Sequence, residues 1–284
     1  MEKSPVPLKP PVWTWEVPVY FYVGGAAGAA AVIAGISELA GRDPALAADA
    51  RWIAAAGALL SPALLISDLG RPSRFLNMLR VFKWRSPMSI GAWTLAAFSG
   101  AVFASIMLHA AALPAAPGLA PAADLVAALT GSLLAVYTGV LIGATAIPVW
   151  ARHVTVLPLH FGASSLGVAV SILELTGHRT PALNGLGIGA AAVETVLGIQ
   201  LEWSRDRVTR SLFTGSSGVL VRLGAWLTGP VPLVLRLASG SLPALRLAAA
   251  VSMTVGSLAT RFGWIGAGRE SAADRAAALN GDPA

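Results

Sequence analysis

Residues 18–40 read PVYFYVGGAAGAAAVIAGISELA, and Glu38 is the one formal charge in the run. A helix rises 1.5 Å per residue, so a stretch of this length crosses the roughly 30 Å hydrocarbon core of a bilayer. Gly24, Gly25, Ala26, Ala27 and Gly28 give it a flank of small residues against which another helix can pack closely. Seven further apolar segments follow, at 52–67, 89–113, 124–149, 155–176, 186–203, 219–237 and 242–264. The second and sixth spans are short, and the seventh contains Pro230 and Pro232. A seven-span alternative therefore stands, with 215–239 partly interfacial. The reading adopted is an all-α integral membrane bundle of eight transmembrane helices, with a short interfacial helix after the second.

Composition agrees. Only 12% of the 284 residues are charged, 55% are hydrophobic, and the mean hydropathy is +0.69. A soluble domain carries about 25% charged residues, so this chain lacks the material for a water-facing coat. Residues 1–265 read as one polytopic domain, and 266–284 as a polar tail expected to be disordered. The first 15 residues hold two lysines and four prolines and do not resemble a signal peptide, so the first span is expected to be retained. Turn chemistry falls between the spans: Gly41-Arg42-Asp43-Pro44, Leu113 to Pro121, Gly177 to Pro181, and Ser239-Gly240. With no cysteine there is no disulfide and no thiolate ligand for zinc or an iron–sulfur cluster. The net charge of +6 sits mostly at helix ends and forms no face suited to nucleic acid.

Call the N-terminal side of the bundle side A. Eight spans put fifteen of the 20 lysines and arginines there, among them Lys3, Arg205, Arg207, Arg261 and Arg275, and five on side B, including Arg51 and Arg236. Charge counting thus favours side A in the cytoplasm.

The most informative segment joins spans two and three: Asp68-Leu69-Gly70-Arg71-Pro72-Ser73-Arg74-Phe75-Leu76-Asn77-Met78-Leu79-Arg80-Val81-Phe82-Lys83. Pro72 suits a first helical position, and Phe75, Leu76, Leu79 and Phe82 recur at helical spacing. The bland reading is an amphipathic anchor on anionic membrane lipid. The sharper one is a pocket wall: Asp68 ends a span beside Arg71 and Arg74, and arginine can hydrogen-bond a quinone carbonyl.

The run DLGRPSRFLNMLRVFKWRSPMSIGAW, residues 68–93, resembles the loop of the NrfD/polysulfide reductase membrane-subunit family. Residues 13–25, WTWEVPVYFYVGG, are similar to that family's first span, and Tyr137 through Trp150 to its fourth. The resemblance implies a quinone-reactive anchor with eight spans, using menaquinone or ubiquinone and holding no haem or iron–sulfur cluster of its own. It also implies a ferredoxin-like iron–sulfur partner on the loop face, and behind it a molybdopterin or other catalytic subunit. The chain would then be either a non-catalytic or a quinone-reactive subunit of an oxidoreductase in the cytoplasmic (inner) membrane. Well-known family members turn the loop face outward, against the charge count.

On this basis Asp68, Arg71 and Tyr137 are expected at the quinone head, with His160 and Glu16 as weaker candidates. Tyr137 is placed about 11 residues, roughly 16 Å, inside side A. Arg74, Arg80, Lys83, Trp13 and Trp15 are expected to seat the partner. Glu194, near the middle of span six, is the leading proton-relay candidate, with Glu202, Glu38 and Glu174 as its extensions. The rival view for Glu38, Glu174 and Asp124 is that they solvate helix ends, and for Tyr137 that it merely packs. No metal site is read. A bis-histidine haem fits poorly, because His109 and His160 lie about 20 Å apart in depth and His153 and His178 lie on opposite faces. The alternatives are a proton-coupled transporter or channel, which broken helices in symmetric halves would favour, and a purely structural anchor.

Overall fold

The computed structural model describes residues 8–69, 71, 73–111, 118–204, 206, 208–240 and 242–274. Lys3, Pro72, Arg205, Arg207, Arg275 and the 275–284 stretch of the expected tail lie outside the described residues.

Described residues form helices joined by turns: α1 Glu16–Leu39, α2 Pro44–Asp68, α3 Ser73–Met78, α4 Pro87–Ala111, α5 Leu119–Gly143, α6 Pro148–Arg152, α7 Val156–Leu175, α8 Pro181–Trp203, α9 Gly215–Thr228, α10 Pro230–Leu237 and α11 Pro243–Ala273. Among the described residues, seven stretches are long and apolar enough to cross a membrane: α1, α2, α4, α5, α7, α8, and Gly215–Gly240, which contains α9 and α10. The chain is a multi-pass membrane protein. The eighth rod, α11, has span length at 31 residues, but Arg246, Arg261, Arg269 and Glu270 lower its hydropathy.

Two groups of four emerge from the packing. Helices α1, α2, α4 and α5 close one ring, and α7, α8, α9–α10 and α11 close the other. The seam is made by α1 and α5 against α7, and by α1 against α11. Small residues make it possible. A Cβ on Gly28 would lie 2.3 Å from the Gly131 carbonyl oxygen, and one on Gly131 would lie 2.6 Å from that of Gly28. The backbones of α1 and α5 therefore touch, as polytopic bundles do where small residues face each other.

Several boundaries differ from the hydropathy reading, each for a local reason. Spans two and six begin earlier than expected, at Pro44 and Pro181. Each proline takes the first turn, where its missing N–H costs nothing, behind a capping side chain. Asp43 (φ 51°) accepts from Leu46 N at 3.0 Å, and Thr180 from Leu183 N at 3.2 Å. Span four stops at Gly143 and not near 149, because Pro148 opens a separate turn, α6. Span seven is long and apolar enough to cross, but it breaks at Gly229 ahead of Pro230. Span eight runs on to Ala273, so residues 266–273 of the expected tail are helix. The interfacial helix is only six residues long; Phe75 is buried, while Leu76 and Phe82 face outward.

Replacing Gly28 by leucine should drive α1 from α5 at a cost of about 3 kcal/mol or more. Gly100, whose Cβ position meets nothing within 4 Å, is the control. The expected outcome in detergent is loss of the monodisperse peak and a lowered melting temperature for Gly28→Leu, with Gly100→Leu behaving as the parent.

Candidate functional site

Three of the expected head-group residues converge on the root of the loop at 69–86. At its entry, Asp68 Oδ1 accepts from Thr14 N at 3.2 Å and Thr14 Oγ1 at 2.9 Å. The same hydroxyl bonds Glu16, so Thr14 bridges the two carboxylates. At its exit, the Tyr137 hydroxyl donates to Pro87 O at 2.6 Å. The Tyr137 ring fits only because residue 91 is glycine: a Cβ there would fall 2.0 Å from Cζ and 2.1 Å from the hydroxyl. With α5 ending at Gly143, Tyr137 is six residues from that end, about 9 Å deep and shallower than expected. Ser89 closes the return of the loop, accepting from Lys83 N at 2.9 Å.

The loop itself presents Arg71, Arg74, Arg80, Lys83 and Arg85 outward together with Leu76, Val81, Phe82 and Trp84. Trp15 is 60% exposed. Trp13 is partly buried, its ring stacked on Trp150 at 5.4 Å and 13°. The arm before α1 thus lies across side A from α2 to α6, which no pattern in the sequence revealed.

A second polar site occupies the interior of the other ring. His160 Nδ1 meets the Glu194 carboxylate at 2.8–3.0 Å, and Thr228 Oγ1 donates to Glu194 Oε2 at 2.9 Å. Arg261 lies beside this group, close enough to act electrostatically on Glu194. Its Nη2 donates to Ser164 Oγ at 2.9 Å and Phe161 O at 3.2 Å, and its guanidinium caps the Phe161 ring at 3.8 Å. His160 therefore joins Glu194, and Glu194 has the partners that the sequence withheld. Arg261 was missed as an interior charge because it fell near the end of an apolar segment. A charge inside a span is itself a signal of a polar partner.

The side-B carboxylates belong to interior clusters. Arg51 Nε donates to Asp124 at 3.0 and 3.3 Å, its Nη2 bonds Glu38, Ser105 bonds Asp124, and His109 Nε2 stands 2.8 Å from Asp124 Oδ2. Ligand atoms of Glu38, His109 and Asp124 come within 4.8 Å of one another, but the Arg51 guanidinium already supplies the cation there. In the other ring Arg236 clamps Glu174 with two bonds of 2.9 and 2.7 Å, both side chains fully buried, and also reaches Asn184. The expectation that Glu38, Glu174 and Asp124 solvate helix ends is corrected: each neutralises an arginine, and Glu174 and Asp124 are buried. Arg51 and Arg236, counted as side-B charges, and Arg261, counted on side A, belong to the interior. The excess on side A survives their removal.

Outside the spans, His153 is buried against the Trp264 ring (5.8 Å), with Nε2 3.0 Å from Thr209 Oγ1. Burial lowers its pKa to about 4 from 6.5, and Arg152 adds to that while Asp206 opposes it. Asp206 is held below the usual carboxylate range by bonds from Thr209 and Arg152 that outweigh its desolvation.

The model of a family described as polysulphide reductase, NrfD, matches the chain over residues 4–270. No curated protein matches it significantly.

The His153 shift sets a pH dependence. The folded pKa is depressed, so the neutral ring's contribution is complete above 6.5 and is lost as pH falls through the window down to about 4. Melting curves in detergent should show the protein losing up to about 3 kcal/mol across that window. His153→Asn should flatten that part of the profile.

Proposed function

Because the chain belongs to the polysulphide reductase NrfD family, we propose that it is the quinone- or quinol-interacting membrane anchor of a multisubunit oxidoreductase. The single observation that carries this reading is the convergence of Asp68, Glu16 and Tyr137 on the two ends of one exposed, basic loop. Two carboxylates and a phenol offer acceptors and a donor of the kind a quinone head alternates between as it is oxidised and reduced. Arg71, exposed in the loop just past Asp68, adds a cationic donor for a carbonyl oxygen. The carrier is menaquinone or ubiquinone, and it supplies the redox chemistry; the chain positions the head and handles its protons.

The chain has no cysteine for a cluster, so the electrons come from or go to a partner. We assign that partner as a ferredoxin-like iron–sulfur subunit, seated on Arg74, Arg80, Lys83 and Trp15. Trp13 supports the seat from beneath through its stack on Trp150. Behind it stands a molybdopterin or other catalytic subunit. The assembly sits in the cytoplasmic (inner) membrane, with side A turned outward as in the family.

Proton transfer is assigned to Glu194 and His160, whose direct contact lets one proton pass between them. Glu202, on the same helix nearer side A, serves as the outer group, while their arginine pairs take Glu38 and Glu174 out of the relay. The transporter alternative gains little support. Span seven is broken at Gly229, whereas its counterpart in the first ring, α4, runs unbroken.

In the intact complex, Tyr137→Phe and Asp68→Asn should each lower quinone-linked turnover at least tenfold while turnover with a soluble acceptor is unchanged. Parental quinone-linked rates in both variants would discredit the pocket.

A further inference from the structure

A lipid-facing cleft of about 510 Å³ opens between α8 and α9 on the side-A half of the second ring. Its walls are Gly198, Ile199, Ala225 and Trp226, and its inner end is formed by Glu194 and Pro230. The helices part here because α9 ends at Thr228: Gly229 takes φ −103°, ψ −97°, and Pro230 restarts the rod as α10. The break gives the inner end a particular chemistry. Proline has no N–H, so neither Pro230 nor Pro232 can donate a helical bond to the turn before it. The Glu194 carboxylate puts an acceptor at that end, at mid-membrane depth.

Behind it, the cluster's capacity is not filled by the chain itself. His160 Nε2 and Arg261 Nε and Nη1 are buried without a protein partner. Buried polar atoms in a finished fold are almost always satisfied by protein, water or ligand.

We propose that this cleft is a binding site for the reduced carrier, a lipid-soluble quinol, whose ring hydroxyl donates to Glu194 while its isoprenoid tail stays in the lipid. The inference rests on the quinone reading above but concerns a place separate from the loop root. The choice of occupant follows from hydrogen-bond sign. A quinol hydroxyl donates to the carboxylate while its oxygen can accept from an unfilled donor behind it, whereas a quinone brings only acceptors. A phospholipid phosphate is excluded from the inner end by the same carboxylate and would have to stay near Arg222 at the mouth.

The test uses the full chain in its complex, in nanodiscs, with a decyl-tailed benzoquinol carrying a diazirine on the ring. Peptide mapping should place label on residues 194–203 and 221–230, displaced by excess unlabelled quinol and not by an anionic phospholipid. Ala225→Trp narrows the cleft where a Cβ on Gly198 would lie 4.0 Å from that of Ala225. It should cut this labelling at least tenfold and leave labelling of residues 68–91 unchanged. Gly198→Leu repeats the block from the opposite wall, so a folding failure of one variant leaves the other decisive. Glu194→Gln should weaken quinol binding tenfold or more and quinone binding by less than twofold. Label confined to residues 68–91 would overturn the cleft while leaving the quinone reading intact. Displacement by phospholipid would make the cleft a lipid site instead. No displaceable label anywhere would remove the quinone reading and this inference together.

Discussion

A charge surrounded by lipid must be neutralised by the protein itself, and three arginines impose that condition on this fold. Arg51 fastens α2 to α1 and α5 through Glu38 and Asp124. Arg236 fastens α10 to α7 through Glu174. Arg261 fastens α11 to α7 and stands by Glu194 of α8. Breaking a buried pair by removing one partner costs about 3–5 kcal/mol, because the remaining charge is stranded. These contacts therefore choose which helices may be neighbours, while the Gly28–Gly131 crossing sets how closely two of them approach. Apolar burial alone would not discriminate, since lipid tails are as apolar as leucine.

The same constraint divides the molecule by role. The side-B interior is locked in ion pairs. Side A keeps its charges outward on the loop at 69–86, and the Asp68–Thr14–Glu16 bridge and the Tyr137–Pro87 bond anchor that loop at both ends. The Glu194–His160 pair is the exception in the interior: a carboxylate shared between a histidine and a hydroxyl, at the depth where span seven is broken. An acid next to a histidine beside a helix break can exchange protons in a way that a bidentate arginine clamp cannot.

Most of the architecture was legible because a span announces itself locally. Twenty apolar residues and a proline or glycine boundary are enough, and the turns at Asp43-Pro44 and Thr180-Pro181 formed as their residues dictate. The family resemblance was legible for the same reason, in the contiguous run from Asp68 to Trp93. The side-chain pairings were not. Arg51 meets Asp124 across 73 residues and Arg236 meets Glu174 across 62, and no periodicity carries such information. Reading each apolar stretch as one span moved Arg261 to a helix end and carried span four past Gly143. That displaced Tyr137 to too great a depth. Thr14, the bridge at one site, and Thr228, a donor to Glu194 at the other, look in the sequence like any other hydroxyl near a helix boundary.

The central proposal is that this cysteine-free chain is where a larger enzyme meets its lipid-soluble carrier. The most direct measurement compares the complex, rebuilt in liposomes, with and without this subunit, following oxidation or reduction of a membrane quinone pool beside that of a soluble acceptor. The account requires quinone-linked turnover to vanish with the subunit while soluble-acceptor turnover persists. Quinone-linked turnover that survives its removal would contradict it.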